Sequence, residues 1–104
     1  MTTQKVLSQC KAILQKQYGS RFRGLVLYGS EARKQARATS DIDLLVLLDS
    51  PMDYFAELRC IVDVLYPIQL ESDRLISAKP APLEDYEKGR FQLYREARRD
   101  GLVV

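Results

Sequence analysis

The stretch LVLYGSEARKQARATSDIDLLVLL, residues 25–48, carries the pattern that sets the fold. Its first part belongs to residues 22–28, FRGLVLY, a run rich in strand formers. Gly29-Ser30 breaks that run. Residues 31–38, EARKQARA, are strong helix formers, and Ser30 stands where it can cap them. Thr39-Ser40 reads as a turn. Residues 42–48 are almost continuously apolar, which predicts a strand covered on both faces.

Before this stretch, Val6, Leu7, Cys10, Ile13, Leu14 and Tyr18 fall at helical spacing, with Thr2 or Thr3 as cap and Gly19 as stop. After it, Asp53 can cap a helix carrying Phe55, Leu58, Ile61, Val62 and Leu65. That helix ends at Pro67 or kinks there and continues to Leu70. Residues 73–78 predict a third strand, and Pro80 and Pro82 place its far end at an edge or in a loop. Residues 83–87 read as a short helical turn. Residues 90–99 predict a last helix with Phe91, Tyr94 and Ala97 inward, ended by Gly101. The alternation implies a small mixed α/β (α+β) sheet flanked by helices, one domain over residues 1–104.

Composition removes several chemistries. There is no histidine, so His general bases, Ser-His-Asp triads and Cys/His zinc sites are excluded. Cys10 and Cys60 lie among apolar residues and read as buried free thiols. A net charge of +2 makes no case for strong nucleic-acid binding. No apolar run reaches membrane-spanning length and the N-terminus lacks a signal-peptide core, so a cytoplasmic protein with no membrane partner is expected.

The remaining candidates for chemistry lie in the central stretch. Asp41 and Asp43 are two apart, so on a strand their side chains leave the same face. Paired carboxylates repel unless a cation lies between them, and at such a site the natural cation is Mg²⁺, completed by substrate phosphates. Facing them, Gly29-Ser30 leads into a helix, a setting that exposes backbone N–H groups to a phosphate. Arg33 and Arg37 share one side of that helix and are placed beside phosphates or the acidic pair; Lys34 reads equally well as solvated.

Gly29-Ser30, ten residues, then Asp41-Ile42-Asp43 resembles the Gly-Ser-x10-Asp-x-Asp signature of the DNA polymerase β-like nucleotidyltransferase superfamily. Ala32-Arg33 and Ser40 fit the wording of its minimal nucleotidyltransferases. The resemblance implies a polymerase β-like core that binds a nucleoside triphosphate. It implies two Mg²⁺ ions held by Asp41, Asp43 and a third carboxylate on a neighbouring strand. Asp73 is the choice for that third ligand, with Glu71 as the alternative and Asp63 disfavoured by its helical setting. Ser72-Asp73-Arg74 departs from the hydrophobic-Asp-hydrophobic pattern usual there. Gly29, Ser30, Arg33 and Arg37 are the implied nucleotide-binding residues.

Minimal members resemble the antitoxin half of toxin–antitoxin pairs whose partner is a small helical HEPN toxin. The implied activity is transfer of AMP from ATP to a tyrosine of that partner. Two other classes stay open: a non-catalytic module that neutralises a HEPN partner by contact, and a transferase acting on a small molecule or an RNA end. Arg95, Arg98 and Arg99 lie on one side of the last helix, either solvated or as a docking surface. Tyr86 and Tyr94 read as packing residues.

Overall fold

The computed structural model describes residues 1–32 and 40–104. A four-stranded mixed sheet forms its centre, in the order β3-β2-β1-β4. Strand β1 is Phe22–Tyr28 and β2 is Ile42–Leu48, paired antiparallel. Strand β3, Ile76–Pro82, runs parallel to β2, and helix α3, Tyr54–Glu71, makes the crossover between them. A two-residue strand β4, Leu102–Val103, pairs antiparallel with β1 on the other side.

Strand β2 explains the layering. Ile42, Leu44, Val46 and Leu48 point to one face, where they meet Leu25 and Leu27 of β1, helix α1 (Thr3–Tyr18) and α3. Leu45 and Leu47 point to the other, with Val26 of β1 and Ala81 of β3. There they meet α5 (Gln92–Asp100) through Tyr94 and Ala97, and α4 (Leu83–Lys88) through Leu83 and Tyr86. Leu44, Leu45 and Leu48 are each 0% exposed, and each contributes about 1.5–3 kcal/mol by burial. This is a mixed α+β architecture with helices on both faces of the sheet, and the two-sided cover expected for residues 42–48 is present.

Helix α1 is capped by Thr2, whose Oγ1 accepts from Lys5 N at 3.2 Å. Asp53 caps α3 in the same way, its Oδ1 accepting from Ala56 N at 3.2 Å. Cys10 is buried, Cys60 partly so, and both are free. Among the described residues no helix is long and apolar enough to cross a membrane.

Several expectations are resolved or corrected. Helix α3 takes the second of its two expected courses, passing Pro67 and running to Glu71. Its buried stripe is Ile61, Leu65 and Ile68; Phe55 and Val62 are 71% and 55% exposed. The helix is apolar on more than one side, and only the stripe that meets the sheet is covered. Strand β3 begins at Ile76 instead of residue 73, and side chains of α3 and the bend hold the backbone around its start. Gln69 Oε1 accepts from Ile76 N at 2.7 Å, and Ser72 Oγ donates to Arg74 O at 2.8 Å. Both prolines fall inside β3, which is tolerated because it is an edge strand. The last helix starts at Gln92, so Phe91 lies outside its phase and is 59% exposed. The helix after β1, α2, begins at Gly29 and is described to Ala32; the rest of the expected helix, with Arg33, Lys34 and Arg37, lies outside the described residues.

Candidate active site

The antiparallel register of β1 and β2 sets Tyr28 opposite Asp43. The chain must then leave β1 without striking the carboxylate, and Gly29 provides for that. Its φ is 75°, a left-handed value that favours glycine. A Cβ placed there would collide with Asp43 Oδ2 and lie 3.3 Å from Cγ. The second aspartate of Asp-x-Asp is thus seated directly against the glycine turn. Two features that are ten residues apart in sequence become one surface.

Tyr28 forms the floor of this surface. Its ring packs on the α4/α5 side of the sheet, the side to which Asp43 points. Burial pushes its hydroxyl up to about 12, and the negative charge of Asp43 adds to the rise. The phenol therefore stays protonated beside the carboxylate. A hollow of about 150 Å³ opens next to it, lined by Tyr28, Gly29, Leu93, Glu96, Ala97 and Asp100. It has room for part of a nucleotide, whereas a pocket that encloses a whole ligand is about 300 Å³ or more. Sequence reasoning did not single out Tyr28, Glu96 or Asp100, since nothing local relates the last helix to the glycine turn. The larger hollow of about 440 Å³, between Asp49, Ser50 and α4, lies at the opposite end of β2.

Asp41 is exposed and stands one residue before the strand, since β2 starts at Ile42. The two aspartates are therefore not both held by the ladder, as a strand opening at Asp41 would have them. Asp73 is also outside its strand, in the bend between α3 and β3. It lines a hollow with Met1, Thr3, Val6 and Ile42, and Ile42 points to the face opposite Asp43. Glu71 is exposed at the end of α3. The register sets Ser77, not an acid, beside Asp43 on the neighbouring strand. Among the described residues no group of three His, Cys, Asp or Glu side chains could hold a metal. The structure thus brings Gly29 and Asp43 together and does not bring Asp73 to them. Ser30 lies in α2, and its side chain, with Arg33 and Arg37, is outside what is described.

The three arginines of the last helix do not form one free face. Arg95 Nη1 donates to Gly89 O at 2.9 Å, and Arg98 Nη1 donates to Glu87 O. Arg99 pairs with Asp100 at 3.0 Å. The first two bind α5 to the last turn of α4 and the glycine that follows it.

A glycine turn packed against the second of two alternating aspartates, on a mixed sheet with helices on both faces, defines a nucleotidyltransferase core of the polymerase β type. The family described as Polymerase beta, Nucleotidyltransferase matches residues 8–97, and the chain belongs to it. A comparison with curated proteins gives no significant match.

Proposed function

We propose that this nucleotidyltransferase domain moves AMP from ATP to a tyrosine of a small helical HEPN-type toxin, and so acts as its antitoxin. The contact between the Gly29 turn and the Asp43 carboxylate carries the catalytic half of this reading. It supports the reading because the turn proposed to accept phosphate lies next to a carboxylate proposed to bind metal. The acceptor and partner rest on the resemblance of Gly29-Ser30, Ala32-Arg33 and Ser40-Asp41-Ile42-Asp43 to minimal nucleotidyltransferases.

Asp41 and Asp43 are oxygen donors of the kind Mg²⁺ takes, with substrate phosphates completing its shell. Bound there, Mg²⁺ offsets the charge of the triphosphate and of the leaving group. The resemblance implies two ions, but among the described residues no third carboxylate joins the pair. The proposal therefore rests on Asp41 and Asp43 alone. Gly29 and Ser30 are the residues proposed to hold the triphosphate, with Arg33 and Arg37 carried over from the resemblance as further nucleotide-binding residues. The tyrosine oxygen attacks the α-phosphorus, the bond to the β-bridging oxygen breaks, and pyrophosphate leaves. The phenolic proton passes to solvent. ATP and free thiols both suit a cytoplasmic setting.

The absence of a third carboxylate among the described residues also favours a second reading, neutralisation by contact alone. Intact-mass spectrometry of the partner separates the two, after incubation with this protein, Mg²⁺ and each NTP in turn. A gain of one or more AMP masses with ATP, lost in Asp41→Asn/Asp43→Asn, is expected. No gain with a stable complex between the two proteins refutes transfer and leaves the contact reading.

A further inference from the structure

We infer that Arg74 is a positioning residue for Asp41, the ligand that the strand does not hold. The inference rests on the metal-site reading above. The Arg74 guanidinium reaches back across the sheet edge to the turn before β2. Its Nε donates to Ser40 O at 2.7 Å and its Nη2 donates to Asp41 O at 3.3 Å. Those two carbonyls belong to the peptide planes on either side of the Asp41 Cα. A peptide unit is planar, so holding both planes restrains φ and ψ of Asp41 and with them the direction in which its Cα–Cβ bond leaves the backbone. The planar fork of arginine suits this double contact; a lysine ammonium is a single point.

Arg74 is itself held firmly. Its N–H donates to Ser72 Oγ at 3.2 Å, and its carbonyl accepts from Gln69 Nε2 at 3.0 Å and from Ser72 Oγ. Next to it, Ile42 N donates to Leu75 O at 2.8 Å, which continues the β2–β3 pairing toward the turn. Another guanidinium contact, Nη1 donating to Thr3 Oγ1 at 3.1 Å, ties the same side chain to α1. In sequence, Ser72-Asp73-Arg74 is a departure from the pattern of a strand carrying a third acid. In the structure, that segment is a bend that carries an arginine to the turn holding the first acid.

The test measures Mn²⁺ binding by electron paramagnetic resonance, with a non-hydrolysable ATP analogue, alongside thermal unfolding without metal. Four proteins are compared: wild type, Arg74→Ala, Arg74→Lys and Thr3→Val. Thr3→Val cuts only the tie to α1, so it lowers the unfolding temperature and leaves Mn²⁺ affinity within twofold. Arg74→Ala is expected to weaken Mn²⁺ binding at least tenfold, and Arg74→Lys severalfold. Wild-type affinity in a folded Arg74→Ala overturns the inference. If Arg74→Ala does not fold, wild-type affinity in Arg74→Lys does so, because charge without the fork would then suffice. A wild type that binds no Mn²⁺ refutes the metal site itself, a result distinct from either variant outcome.

Discussion

Replacing Gly29 by alanine tests whether the glycine turn and Asp43 really share one surface. Two costs arise. A φ of 75° is unfavourable for any residue with a Cβ, by about 1–2 kcal/mol. The new methyl also strikes the Asp43 carboxylate, and overpacking of this kind costs about 1–3 kcal/mol. The sum, about 2–5 kcal/mol, is a large part of the stability of about 5–15 kcal/mol usual for a domain. At about 4 °C per kcal/mol the unfolding temperature should fall by about 8–20 °C. In an Asp43→Ala background the striking atoms are gone, while the Asp43 Cβ, 3.4 Å from the added methyl, stays at an ordinary contact distance. Only the backbone cost remains there, about 4–8 °C by the same scale. Thermal unfolding of the four proteins in this cycle, followed by circular dichroism, reads the coupling directly. Additive effects would refute the contact, and with it the argument that the turn and the acid act together.

Asp41→Asn/Asp43→Asn removes two like charges from one site, so without Mg²⁺ its unfolding temperature should equal or exceed that of wild type; a clear fall would show that the pair stabilises the fold instead. Burial raises the Cys10 thiol to about 11 and the Tyr28 hydroxyl to about 12, so the native state keeps protons that the unfolded chain loses. That stabilisation is complete below the unfolded values and is lost as pH rises, from about pH 9 to about pH 12. Urea midpoints should drop across this window, and a midpoint constant to pH 11 would contradict it. Asp53→Ala removes the cap that accepts from Ala56 N and should cost about 1 kcal/mol, read as a shift of the urea midpoint with unchanged slope.

The sequence by itself determined the parts that depend on short-range pattern. The strand at residues 42–48 was legible because both its faces are apolar. The caps Thr2 and Asp53 were legible because a cap bonds to the N–H three residues on. The spacing of Gly29-Ser30 and Asp41-Ile42-Asp43 was enough to point to the nucleotidyltransferase family, whose model matches residues 8–97. Tertiary structure decided which of several plausible acids lies against the glycine turn and which apolar faces are covered. Glu71, Asp73 and Asp43 are all acids near strand ends, and only the register of β1 against β2 seats Asp43 on the turn. Helix α3 offers more apolar surface than the sheet can cover, so Phe55 and Val62 could not be told from Ile61 by period alone. Arg74 looked like an interruption, because its partners, Ser40, Asp41 and Thr3, come from two distant segments. Such contacts have no sequence period; they exist only once the parallel β2–β3 pairing has brought the bend to the turn.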